Sequence, residues 1–104
     1  MAELTDEQKL GALFITLIQQ FQMQAWISLG KLKNPVTDKI EKNMELARIS
    51  IDMLDMLRHK TEGNRTDDED RLLQQTISDL QLNYFNESDT EEKDSNNPGA
   101  ITGE

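Results

Sequence analysis

Asp52, Asp55 and His59 stand at i, i+3 and i+7, a spacing that on a helix gathers two carboxylates and an imidazole roughly on one side. Such a set could offer a divalent cation two oxygens and one nitrogen. Carboxylate metal centres in helical bundles, however, draw Glu-x-x-His pairs and further glutamates from several helices, and the sequence carries no such pattern. A hydrated polar edge is the simpler expectation for these residues. Gly30-Lys31 superficially suggests a phosphate loop, but Ala25 replaces the opening glycine and Leu32 replaces the magnesium-binding hydroxyl. The acidic run Asp67 to Asp70 lacks the glycine and the terminal glutamate spacing of a calcium loop, so helix capping explains it better.

Acid-base catalysis needs a pocket that shifts pKa values, and His59, the only histidine, sits between Arg58 and Lys60 near a helix end. The chain has no cysteine, which removes disulfides, thiolate nucleophiles and cysteine-ligated metals together. No serine nucleophile signature occurs either. The sequence therefore assigns no catalytic, cofactor-binding or metal residue and points away from an enzyme. A small-ligand or metal site in a helical bundle, using Asp52, Asp55 and His59, stays as an alternative.

The elements that would position any site are helices, three in number, at about 6–30, 38–62 and 67–85, which makes the expected fold class all-α. Thr5-Asp6-Glu7-Gln8 forms a capping box, and Leu10, Leu13, Phe14, Leu17, Phe21, Ala25 and Leu29 recur at helical spacing up to a stop at Gly30. Asn34-Pro35 then turns the chain. The second helix runs from Thr37 or Asp38 to about Thr61, with Arg58, His59 and Lys60 at the negative end of its dipole and Gly63 as its stop. Two apolar seams follow it: Ile40, Met44, Ala47, Ile51 and Leu54, and Leu46, Ile49, Met53 and Met56. Thr66-Asp67-Asp68-Glu69 caps a third helix whose face is Leu73, Ile77, Leu80 and Tyr84. The short link after the second helix predicts an antiparallel helical hairpin, with the long N-terminal helix packed beside it.

Residues 1–85 are thus expected to form one helical domain. Residues 86–104, with Ile101 as their one bulky apolar side chain, are expected to be a disordered acidic tail. The net charge of −9 opposes binding to nucleic acid, which starts from a basic footprint. The lysines at 31, 33, 39 and 42 are interrupted by Asp38 and Glu41. The acidic, polar start MAELTDEQK has no secretory character, so a cytoplasmic location is expected.

The stretch from Phe14 to Tyr84 resembles an uncharacterised bacterial family known as domain of unknown function 1844. The resemblance lies in Leu29-Gly30, Asn34-Pro35, Met44-Glu45-Leu46-Ala47, Ile51-Asp52-Met53-Leu54, Leu57, Lys60-Thr61-Glu62-Gly63-Asn64, Thr66 and Glu69. Arg65 departs from the leucine expected at its place. The resemblance implies a small, mostly helical bacterial protein, and it brings no catalytic residues with it. The Lys60, Thr61, Gly63, Asn64 and Thr66 segment has a sufficient reading as C-cap, turn and N-cap. A functional reading makes it an exposed docking point.

The first helix is apolar on more sides than one partner helix can cover, since Ile15, Ile18, Met23, Trp26 and Ile27 fall outside its main stripe. Gln19, Gln20, Gln22 and Gln24 interrupt the only window that could span a bilayer, and peripheral membrane attachment through this helix remains a further alternative. The leading expectation is a homo-oligomer, or a module binding another protein, assembled through Leu13, Phe14, Leu17, Phe21, Trp26, Ile51 and Leu54.

Overall fold

The structure, a computed structural model, describes residues 3–95. Three helices make it up: α1 (Asp6–Ser28), α2 (Met44–Lys60) and α3 (Asp67–Ser95). At the start of α1 the capping box forms as expected, with Gln8 N–H donating to Thr5 Oγ1 at 3.1 Å and Thr5 N–H donating to Gln8 Oε1 at 2.9 Å. Its end is a Schellman turn. Gly30 takes φ +82°, Gly30 N–H donates to Ile27 O at 3.0 Å, and Lys31 N–H reaches Trp26 O at 2.9 Å.

α2 starts at Met44, later than the expected 38, because the intervening residues have better local partners than a helix would offer. Asn34 N–H donates to Lys39 O at 2.8 Å, Asn34 Oδ1 accepts from Val36 N–H at 2.8 Å, and Asp38 takes a left-handed φ of 59° that no helix tolerates. Asn43 is the actual N-cap, its Oδ1 accepting from Leu46 N–H at 3.1 Å. Asn43 N–H also donates to Ser28 O at 2.8 Å, pinning the start of α2 to the end of α1. At the far end Leu10 and Phe14 face Thr61, so α2 runs back along α1.

α3 starts with the second expected box, Glu69 N–H to Thr66 Oγ1 at 3.1 Å and Thr66 N–H to Glu69 Oε1 at 2.9 Å. Its end corrects the expectation. The helix passes Phe85 and continues to Ser95, so the first part of the expected disordered tail is helical; residues 96–104 lie outside the described residues. Glu87 anchors the first turn beyond Phe85. One carboxylate oxygen accepts from Lys31 Nζ at 2.8 Å and the other from Lys42 Nζ at 2.7 Å, tying α3 to both sides of the α1–α2 loop.

Those two ammonium groups hold the Glu87 carboxyl down to about 2 from its ordinary 4.5. A depressed acid adds stability that is present above its unfolded value and is lost as pH falls toward the folded one. The contribution of Glu87 should therefore be complete at pH 7 and fade from about pH 4.5 downward. Glu87→Gln should lower Tm by a few degrees at pH 7 and leave a shallower acid decline, measured by thermal melts across that window.

The core is small. Among the described residues the buried hydrophobics are Ile18, Ala25, Leu29, Ala47, Ile51, Leu54, Leu73, Ile77 and Leu80. Phe14, Phe21, Trp26, Leu57, Leu72 and Tyr84 pack against that cluster half-buried, and no aromatic ring is fully enclosed.

Candidate interface and the polar turn beside it

On α2 the two seams have opposite fates. Ala47, Ile51 and Leu54 face the core, whereas Leu46, Ile49, Met53 and Met56 lie on the opposite side of the helix, each about 40% exposed. On α1 the residues 13, 17, 20 and 24 step by four, three and four, a stripe in which Leu13 and Leu17 are exposed leucines and Gln20 and Gln24 are amides. Gln24 Nε2 donates to Ser50 Oγ at 2.7 Å, and Ser50 Oγ donates in turn to Leu46 O at 2.8 Å. This pair of bonds holds Gln24 against the α2 turn from Leu46 to Ser50, and Leu46 lines one shallow cleft with Gln20, Met23, Gln24 and Ile27 of α1, so apolar side chains of the two helices meet at that surface.

That face has little interior behind it. The molecule measures 62 × 32 × 15 Å along its principal axes, and a body this thin offers few positions enclosed on all sides. Large exposed hydrophobics accordingly outnumber buried ones among the described residues. Monomers do expose single apolar side chains, but a contiguous set on adjacent helices is the usual mark of an interaction surface.

The sequence-expected interface divides accordingly. Leu13 and Leu17 are exposed on α1. Phe14, Phe21 and Trp26 are half-buried against the protomer's own core. Ile51 and Leu54 are interior, at 5% and 0% exposure, and are thereby withdrawn from any partner. The seam that replaces them, Leu46 to Met56, was visible in its spacing, but spacing does not say which of two seams turns inward.

Next to α1's first turns lies the Lys60 to Thr66 segment, and its residues have structural work. Thr61 Oγ1 donates to Leu57 O at 2.7 Å, Asn64 N–H donates to Thr61 O at 2.9 Å, Gly63 supplies φ +81°, Thr66 caps α3, and Lys60 is exposed. Arg65, which sequence reasoning assigned no role, is the centre of this turn. Its guanidinium is almost enclosed, with Nε and one terminal nitrogen on Asp70 Oδ1 at 3.0 and 2.6 Å and the other donating to Arg58 O at 2.7 Å and Thr61 Oγ1 at 3.0 Å. Hydrogen bonds from Arg65 and Gln74 hold the Asp70 carboxyl below its ordinary value. A planar fork joins a carbonyl of the last turn of α2 and the Thr61 hydroxyl to a carboxylate of α3, a geometry an ammonium does not reproduce. Arg65→Ala should lower Tm by about 5–10 °C, and Arg65→Lys should recover less than half of that loss.

The metal reading finds no support in the geometry. Asp52 is engaged by Arg48 at 3.3 Å, and Asp55 by both Nε and a terminal nitrogen of Arg58 at 3.0 and 2.9 Å, with His59 Nε2 3.6 Å from Asp55 Oδ2. No group of three potential ligands that could hold a metal ion occurs among the described residues. Zinc, manganese or chelator should shift Tm by less than about 1 °C, since a ligand that selects the native state must stabilise it. No helix among the described residues is long and apolar enough to cross a membrane.

Comparison with curated proteins and with solved structures returned no match. Residues 11–86, which contain nearly all of the helical core and the exposed seam, match one family model, and on that match the chain belongs to the family described as Domain of unknown function (DUF1844).

Proposed function

We propose that this chain is a non-catalytic self-association module of the cytoplasm, in which a second copy covers the shared face of α1 and α2. The observation that carries the proposal is the exposed seam Leu46, Ile49, Met53 and Met56 of α2, which begins in a shallow cleft shared with Met23 and Ile27 of α1. The centre of that seam is free of charge, since Arg48 and Asp52 pair with each other to one side of it. An uncharged apolar patch is self-complementary under two-fold symmetry, which a patch of one sign is not. Pairing two copies face to face would turn a thin body into a bundle with a second core between the protomers.

Mass measurement by light scattering or sedimentation across about 1–100 μM tests this directly. The expected result is a dimer at the upper concentrations, together with a Tm that rises with protein concentration. A single monomeric species throughout would end the proposal.

A further inference from the structure

α3 carries two kinds of residue along its length. From Leu72 to Tyr84 it supplies side chains that enter the core cluster or pack against it, and Tyr84 is the last to do so among the described residues. Phe85 is 68% exposed, and residues 86–95, NESDTEEKDS, hold no bulky apolar side chain. Their composition also resists a helix. Asn, Ser, Asp and Thr are middling to poor helix formers, and Glu91, Glu92 and Asp94 place carboxylates in the last turns, where the helix dipole is negative. With neither burial nor propensity in its favour, a helix over residues 86–95 requires a hold from outside itself.

The loop between α1 and α2 supplies one. Lys31 follows the Schellman turn, its N–H on Trp26 O at 2.9 Å, and Lys42 directly precedes the N-cap Asn43, whose N–H is on Ser28 O at 2.8 Å. The two lysines thus stand on chain segments that are bonded to each other. The stem of Lys42 also lies along Gly30, since a Cβ added there would be 3.6 Å from both Cβ and Cγ of Lys42. From these two positions the ammonium groups converge on Glu87, one on each carboxylate oxygen.

We infer that α3 beyond Tyr84 is a latch, closed by Glu87 on Lys31 and Lys42 and opened by ionic strength, whose helix melts while the three-helix core stays folded. Two features support this separation. The core side chains of α3 stop about one turn before Glu87, so an open latch uncovers none of the buried hydrophobics. The hold itself is a charge pairing that water reaches, with the Lys31 and Lys42 side chains 42% and 32% exposed, so salt screens it where it does not weaken apolar packing. Opening withdraws the Glu87 carboxylate from a loop whose other charged residues are Lys33, Asp38, Lys39 and Glu41, and the latch thereby sets the charge presented at that end of the bundle.

Hydrogen exchange of the full chain at pH 7, read by mass spectrometry on peptides from α3, tests the latch. In wild type, raising sodium chloride from about 20 to about 500 mM should speed exchange in residues 86–95 about five- to tenfold and leave residues 73–80 unchanged. Glu87→Gln, which keeps nearly the same helix propensity, should exchange at low salt as fast as wild type does at high salt and should lose most of the salt response. Lys31→Gln combined with Lys42→Gln should reproduce this from the other side. The direction of the salt effect is decisive, because if mutual repulsion among the segment's own carboxylates limited its helix, screening would slow exchange instead. Slower or unchanged exchange in salt overturns the latch, and so does Glu87→Gln protein that matches wild type at low salt. Loss of protection at residues 73–80 in step with residues 86–95 shows one cooperative unit and overturns it equally.

Discussion

Ile49→Glu combined with Met53→Glu is expected to dissociate the proposed dimer, raising its Kd at least about 100-fold while far-UV circular dichroism keeps its helical signal. Both side chains are about 40% exposed in the protomer and turned away from the core, so each new carboxylate stays hydrated in the isolated chain. In the dimer the same groups would be pressed against the second copy, where four carboxylates must lose water and face one another. A 100-fold change corresponds to about 2.7 kcal/mol, which is modest for that many desolvated charges. Sedimentation of wild type and variant at equal concentration measures it. A variant that dimerises as well as wild type would show that this face is not the contact.

Leu54→Ala, one residue further along the same helix, should act through an entirely different route and cost about 2–5 kcal/mol of folding stability. Leu54 is fully buried in the core cluster that all three helices share, and its truncation leaves a cavity of three missing carbons there. With two alanines among the nine buried hydrophobics, the core holds seven large side chains among the described residues, so this loss removes a large part of the total. Urea denaturation should show a lower midpoint even at high protein concentration. Were Leu54→Ala to weaken dimerisation while leaving monomer stability intact, the division of α2 into an inner and an outer seam would be wrong.

The contrast between residues 53 and 54 also marks how far the sequence could be read. Both seams of α2 are visible as spacing, and nothing in the spacing ranks Ile51 and Leu54 above Ile49 and Met53 as core. The choice is made by α1 and α3 together, whose Ile18, Ala25, Leu29, Leu73, Ile77 and Leu80 form one buried cluster with the inner seam. The same holds for Arg65. In the sequence it is only a departure from an expected leucine, and its role emerges when Asp70, Thr61 and Arg58 O are brought around its guanidinium.

What the sequence determined by itself is everything governed by residues within one or two turns of each other. The capping boxes at Thr5 and Thr66, the left-handed stops at Gly30 and Gly63, and the helical periods between them follow from local hydrogen bonding and steric limits, so three helices were legible. Even the late start of α2 has a local cause in Asn34 and Asn43, although competing turn chemistry made it harder to see. Only the tertiary structure decided that α3 is anchored beyond Phe85, because Glu87 gains its two lysines across the fold, and which seam of α2 remains uncovered. Burial and long-range charge pairing depend on where other helices come to lie, and no pattern within a single helix contains that information.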